Sequence, residues 1–334
     1  MRKIILLGFI MFLAFLLSGQ KYNHIDDYVK QLEFERNTEM PEMAEKITAK
    51  SKTDKEKLRA IFGWIAHNIE YDVRSFKTGK IPNSSPMSVV QKGKAVCQGY
   101  SNLFEALAEN VDIETYMVSG FSKGYGYEDR NKLQNADHAW NIVFLDNDWH
   151  LIDATWGAGH LDMRGKYVSA MQEKYFLADP AFFVTEHLPE DPAMQLLPCP
   201  IKPEEFLKDS SEVIKIARNK EQCYNFKDTL ADFMQLDSVQ QKVASAERMY
   251  RYFDDNIYSP AVLLNQAAYA YSIPLNDGSI DLDTKLNYAH KSLKLYTRAE
   301  NILSGALEPH ERDLRKMVRQ NIANVKKFLD FYED

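Results

Sequence analysis

Apolar residues recur along this chain in two rhythms. In residues 24–50 and again in 53–69 they fall at three- and four-residue steps, the spacing of a helix with one buried face. Ile25, Tyr28, Val29 and Leu32, then Met40, Met43 and Ile47, carry the first stretch, with Pro41 marking a break. Thr53-Asp54-Lys55-Glu56 has the form of a capping box and opens a helix whose stripe is Leu58, Ile61, Phe62, Ile65 and Ile69. That reading puts Trp64 in the core and His67 on the surface. Residues 75–85 are polar, with Gly79 and Pro82, and read as a loop leading to a short helix over 86–92. Leu103, Phe104, Leu107 and Ala108 predict a further amphipathic helix over 97–110. The rhythm then shortens to two. Residues 113–120 alternate as a strand, and 138–145 are apolar and β-branched enough for another. Asp146-Asn147-Asp148 supplies a turn, and 149–153 read as an antiparallel return strand.

Beyond residue 197 the pattern changes again. Pro198-Cys199-Pro200-Ile201-Lys202-Pro203 is proline-dense and marks a domain boundary between 198 and 199. The remainder, 199–334, is helical by pattern. Residues 264–271, a turn over 274–278, and then Leu286, Ala289, Leu293 and Leu295 resemble one tetratricopeptide-type helix pair. The last helix carries Leu314, Met317, Val318, Ile322, Val325, Phe328, Leu329 and Tyr332 as one stripe. Such a helical domain either packs on the preceding one or offers a surface to a protein partner.

The N-terminus stands apart. Arg2-Lys3 precedes an apolar run over 4–17, followed by Ser18-Gly19-Gln20-Lys21, the form of an export signal cut after Gly19. The run is shorter than the roughly 20 apolar residues that span a bilayer, so no integral span is expected in the mature chain. The expected location is exported, periplasmic or extracellular. The full chain has 41 Lys and Arg against 48 Asp and Glu, net −7. Removing Arg2 and Lys3 takes the mature charge to −9. So acidic a protein lacks the clustered cations that phosphate backbones require, which excludes nucleic acid as a partner. Of three cysteines, Cys199 and Cys223 are expected to pair in an oxidising compartment and leave Cys97 free.

Cys97 is the residue that changes the picture most. At the start of a helix it meets unpaired N–H groups and a dipole that both favour a thiolate. If the strands over 138–145 and 149–153 pair across their turn, His138 and Asp153 come together at the same end of the hairpin. The carboxylate then holds one imidazole nitrogen while the other faces the thiol. Trp140 and Trp156 flank these two residues in sequence and are candidate substrate-binding walls. The loop over 122–135, rich in Gly, Tyr and charge, is expected to border the cleft, with Tyr125 and Tyr127 in it. His138, His150 and His160 with Asp153 and Asp162 match no compact ligand spacing, so neither a metal nor another cofactor is expected.

Gly-x-x-x-Cys-x-Gly-Tyr, then His-Ala-Trp-Asn, then Trp-x-x-x-Asp-x-Thr-Trp-Gly resemble the transglutaminase-like superfamily, whose fold is related to papain-like cysteine proteases. Trp64-Ile65-Ala66-His67-Asn68-Ile69-Glu70-Tyr71-Asp72 resembles that domain's leading helix. The stretch from Tyr175-Phe176-Leu177-Ala178-Asp179-Pro180 through His187-Leu188-Pro189-Glu190-Asp191-Pro192 to Gln195-Leu196-Leu197 resembles the tail of the kyphoscoliosis peptidase branch. The resemblance covers about residues 53–198. It implies Cys97 as nucleophile, His138 as base and Asp153 as orienting acid. Gln91 has the spacing of the papain-type oxyanion glutamine, but its short helix assigns it to a solvated face.

The expected architecture is α+β. A signal (1–19) precedes a papain-related transglutaminase-like domain (20–198), in which the helix bearing Cys97 packs on an antiparallel sheet bearing His138 and Asp153. An all-helical domain (199–334) follows. The expected chemistry is thiol-dependent acyl transfer on a peptide or protein substrate, as a cysteine peptidase or amidase. The alternatives are a protein-glutamine transglutaminase with an amine acceptor, and a non-catalytic peptide- or protein-binding module using the same cleft.

Overall fold

The structure is a computed structural model that describes residues 22–80, 82–127, 133 and 135–333. The expected signal over 1–19 lies outside the described residues. Two compact units account for the rest: one of residues 22–127 and 138–187, the other of 188–333 with 133 and 135–137. Among the described residues no helix is long and apolar enough to cross a membrane.

In the first unit, α1 (Asn23–Val29) and α2 (Met40–Thr48) occupy the first periodic stretch. The break expected at Pro41 falls just before it: residues 30–39 are non-helical, and Pro41 sits in the first turn of α2, where its missing N–H costs nothing. α3 (Asp54–Asn68) opens as the sequence predicts. The Thr53 side chain accepts from the Glu56 N–H at 3.2 Å, and Glu56 reaches back to the Lys52 N–H at 2.7 Å. Each such cap stabilises a helix by about 1 kcal/mol. α3 departs from a one-sided stripe, however: every residue from Leu58 to Ala66 is buried. α1, α2 and two later helices all pack on it, which makes it the central rod of the unit. His67, just past that run, is exposed.

The two-residue strand β1 (Glu70–Tyr71) is followed by α4 (Val73–Thr78), which replaces the first part of the expected loop. Asp72 caps its start and Gly79, at φ 64°, ends it. α5 (Pro86–Lys92) leads through Gly93 to β2 (Lys94–Ala95), which pairs with β1 in parallel. α6 (Cys97–Glu109) follows directly and packs on the main sheet. That sheet has the order β5-β4-β3-β8. Its first three strands are β3 (Thr115–Ser122), β4 (His138–Leu145) and β5 (Asp148–Ile152), each antiparallel to the next in sequence. Asp146 and Asn147 both have positive φ, 54° and 61°, the type I′ geometry that matches strand twist. α7 (Ala154–Ala158), the ribbon β6 (Gly159–Leu161) with β7 (Tyr167–Ser169), and α8 (Pro180–Phe183) lead to β8 (His187–Pro189).

The second unit contains α9 (Pro203–Phe206), α10 (Ser210–Asn219), α11 (Phe226–Met234), α12 (Ser238–Tyr252), α13 (Tyr258–Ser272), α14 (Leu282–Ile302) and α15 (Pro309–Glu333). The last four pack in succession around Leu264, Ala268, Ala289, Tyr296 and Val318. α15 buries a narrower seam than its sequence stripe: Leu314, Val318, Val325 and Leu329 are covered, while Met317 and Tyr332 remain 54% and 46% exposed. Among the described residues it packs chiefly on α14.

The division between units falls at 187/188, ahead of the expected 198/199. The polar side chains of 190–195 explain the shift, because their partners lie on α12 and just after it. Asp191 accepts from Arg248 at 2.6 Å and Ser245 at 2.9 Å, Glu190 from Asn256 at 2.8 Å, and Gln195 donates to the Tyr252 hydroxyl at 2.9 Å. The proline-dense stretch is likewise no open linker. Cys199 and Cys223 are joined by a disulfide across a separation of 24 residues, with Cα atoms 4.9 Å apart, and Cys97 is the free cysteine. Unfolded, unreduced protein is therefore expected to titrate with one thiol. The Cys199→Ser, Cys223→Ser double variant is expected to lose about 3 kcal/mol, given its loop length. Thiol counting and denaturant unfolding check the two statements.

Candidate active site

Cys97 is the first residue of α6, and its own N–H and that of Gln98 precede the first intrahelical bonds, which Gly99 and Tyr100 make to the Val96 carbonyl. Three features fix its position. The β1–β2 pairing ends two residues before it. Tyr100, fully buried, donates from its hydroxyl to the Ile69 carbonyl at 2.6 Å. At Gly99 a side chain would meet Ala95 Cβ at 2.7 Å, so only glycine lets the first turn of α6 lie this close to β2. From the other side Asn141 on β4 donates to the Ser101 carbonyl at 3.2 Å, tying helix to sheet.

His138 opens β4 and Asp153 follows the last residue of β5, so the hairpin register carries both to one end of the sheet. His138 Nε2 lies 2.8 Å from Asp153 Oδ2. Cys97 is close enough to the same ring to be among the groups that favour its charged form. With Nε2 engaged by Asp153, Nδ1 is the nitrogen left to the thiol.

Asp153 is completely buried and its carboxylate is saturated. Oδ1 accepts the N–H groups of Thr155 and Trp156 at 2.8 and 3.0 Å, as the N-cap of α7. Oδ2 accepts His138 and a second imidazole, His187 Nε2, at 3.0 Å. Burial alone would push the carboxyl pKa up, but the His138 charge and these hydrogen bonds outweigh it and hold the group well below the usual carboxylate range. For His138, burial works against the charge, yet Asp153, with Cys97 contributing, raises the imidazole to about 10. His138 therefore keeps its proton throughout the neutral range.

The two candidate tryptophans separate. Trp156 is half-buried and lies over the His138 ring, with centroids 5.2 Å apart. Trp140 is a correction: it is fully buried, edge-on to Phe183 and His187, and walls the second imidazole rather than an open cleft. It faces inward because β4 is covered on both sides. Gln91 is exposed and donates to the Arg36 carbonyl, away from this cluster. Tyr125 is about half exposed. His150, His160 and Asp162 do not join the site. Among the described residues, the group with metal-ligand spacing is His138, Asp153 and His187. Its two imidazole nitrogens address one carboxylate oxygen at hydrogen-bond distance, so an ion would have to displace both ring protons.

His187 was not assigned a role from sequence. It opens the tail that carried part of the family resemblance, 34 residues after Asp153, and no spacing rule points from one to the other.

Known proteins are similar to this chain in sequence. Residues 41–154 match the transglutaminase-like superfamily, a span that includes Cys97, His138 and Asp153. The chain is 34% identical to kyphoscoliosis peptidase of Homo sapiens over 186 residues, 55% of this chain and 28% of that protein. It is 37% identical to the Mus musculus kyphoscoliosis peptidase over 161 residues, 48% of this chain and 24% of that protein. It is 30% identical to Hillarin of Drosophila melanogaster over 184 residues, 49% and 22% respectively. The chain thus spans about a quarter of the length of these relatives. Residues 41–154 form a transglutaminase-like domain, and the chain is similar over about half its length to the kyphoscoliosis peptidases.

Replacing Asp153 by Asn keeps an acceptor for the α7 cap but leaves the His138 charge buried without its partner. The expected cost is about 3 kcal/mol near pH 6. Its pH dependence follows from linkage. His138, raised from 6.5 to about 10, contributes fully below about 6.5 and loses that contribution as pH rises through about 10. Asp153, lowered from 3.8, contributes above that value and loses its share as pH falls. The wild-type advantage is thus largest from about pH 4 to about pH 6.5 and shrinks toward pH 10. Urea unfolding of both proteins across pH checks this, and an advantage that grows with alkalinity contradicts the pairing.

Proposed function

We propose that this protein is an exported thiol-dependent acyl-transfer enzyme, a cysteine peptidase or amidase that cleaves peptide or carboxamide bonds with Cys97, His138 and Asp153. The observation that carries the reading is His138 Nε2 lying 2.8 Å from a buried carboxylate, with Cys97 among the groups that favour the charge on that ring. A half-buried cysteine at a helix start, next to a charged imidazole, has the surroundings of a nucleophile rather than of an inert core thiol.

In this mechanism the Cys97 sulfur attacks the carbonyl carbon. The resulting oxyanion is met by the N–H groups of Cys97 and Gln98 at the start of α6. Collapse breaks the C–N bond, and the departing amine takes the proton held on His138. A thioester to Cys97 remains. Water then attacks it while His138 accepts the water proton, and the thiolate departs as the carboxylic acid leaves. Asp153 holds the ring in one orientation throughout.

Water is preferred to an amine as acceptor on two grounds. The relatives bear the name peptidase, and the chain has no Asp-x-Asp-x-Asp-Gly calcium loop. Export is supported by the apolar run behind Arg2-Lys3 and by the Cys199–Cys223 disulfide, a bond that persists in oxidising compartments.

The test is to trap the acyl-enzyme with a mixed peptide pool and identify the attached fragment by mass spectrometry. Wild type is expected to carry a thioester adduct on Cys97 and Cys97→Ala none. His138→Ala is expected to form it roughly 100-fold more slowly or worse. Transfer of the fragment to an added primary amine in preference to water would move the assignment to transamidation. Peptide retention without any adduct would move it to a binding module.

A further inference from the structure

We infer that His187 is a positioning residue of this site: it gives its single ring N–H to the Asp153 oxygen that holds His138, and so limits how tightly His138 can keep its proton. The inference rests on the acyl-transfer reading above and specifies how its proton relay is tuned.

His187 has no exposed surface. Its Nε2 lies 3.0 Å from Asp153 Oδ2, the oxygen that His138 Nε2 occupies at 2.8 Å. The ring stacks on Phe183, with centroids 4.0 Å apart and planes 18° from parallel. Trp156 lies against it at 4.4 Å, and Trp140 and Tyr175 meet it edge-on. Its orientation is therefore fixed by packing. Its Nδ1 is buried and has no hydrogen-bond partner among the described residues. A proton on Nδ1 would bury an unanswered donor and a second positive charge beside His138, an arrangement costing several kcal/mol. The ring is thus neutral, with its proton on Nε2 pointing at Asp153. The ionisable groups around it agree. Burial lowers its pKa, Asp153 works against this, His138 lowers it further, and Glu186 raises it. Glu186 is itself engaged by the Tyr175 hydroxyl at 2.9 Å.

The consequence concerns the moment of proton transfer. While His138 is charged, it neutralises Asp153. Once His138 has passed its proton to the leaving group, Asp153 stands as a buried anion, and the His187 hydrogen bond on Oδ2 is worth most at that point. His187 therefore stabilises the state after transfer more than the state before it. Without this donor, Asp153 would bind the His138 proton more strongly and release it more slowly.

The test uses the full chain and needs no substrate. Alkylation of Cys97 by iodoacetamide is followed against pH, Cys97 being the free thiol, and the upper inflection of the profile reports loss of the His138 proton. His187→Phe keeps a ring but removes the donor, whereas His187→Gln keeps a donor near the Nε2 position. The upper inflection is expected to move up by about half to one pH unit in H187F and to stay near the wild-type value in H187Q. An unmoved inflection in H187F, or equal shifts in both variants, overturns the inference. If H187F does not fold, nitrogen-15 imidazole NMR of wild type decides. One protonated nitrogen, Nε2, is expected on His187 at neutral pH, and a doubly protonated ring there overturns the inference. The two readings fail separately. A wild-type profile unaltered by His138→Ala removes the thiol–imidazole pair and with it the proposed chemistry. A profile that depends on His138 but ignores His187 removes only the second imidazole.

Discussion

A single carboxylate holds the first unit's chemistry together. Asp153 is wholly buried, and an unpaired ion in that position would cost far more than the marginal stability of a domain. It persists because four N–H groups converge on its two oxygens, two from the backbone of α7 and two from imidazoles. Together the four donors tie the carboxylate to three elements: α7 after β5, the start of β4 and the start of β8. The same bonds that make the charge tolerable therefore set the relative positions of these elements.

The support beneath this cluster comes from α3. α7 lies so close to it that a side chain at Gly157 would meet the Phe62 ring at 2.3 Å. One turn earlier on α3 sits Arg59, a guanidinium with almost no exposed surface, clamped between Asp26 of α1 at 2.7 Å and Glu173 at 2.5 Å. Two carboxylates on one buried cation more than offset the burial that disfavours its charge, and its pKa is raised, not lowered. The rings of Tyr22, Phe62 and Phe176 cover its faces. This clamp holds the segment that leads from α7 toward Tyr175 and His187 against the central helix. Ion pairing of this kind adds little net stability, but it discriminates strongly against packings that separate the partners.

Much of the fold was legible in local pattern. The capping box of α3, the extent of α5, the start of α6 at Cys97 and the hairpin of β4 and β5 all depend on residues within a few positions of one another, where periodicity and turn chemistry act directly. The meeting of His138 and Asp153 follows from the hairpin register alone. The break that Pro41 marks is also legible, but not its extent: the non-helical segment runs over 30–39 and the proline itself begins the next helix. Periodicity says which face of a helix is apolar but not how much of it will be covered. α3 is buried nearly all round, whereas Met317 and Tyr332 of α15 stay exposed.

Sequence by itself thus determined the elements, their local caps and turns, and the pairing that brings one histidine to one aspartate, because those outcomes are decided over spans of a few residues. Tertiary structure alone decided that His187 returns to the same carboxylate oxygen and that Trp140 is sealed behind it. It also decided that residues 190–195 find their partners on and just after α12. These outcomes depend on contacts between segments tens of residues apart, where no periodicity links the partners and only the packing of the folded chain selects them.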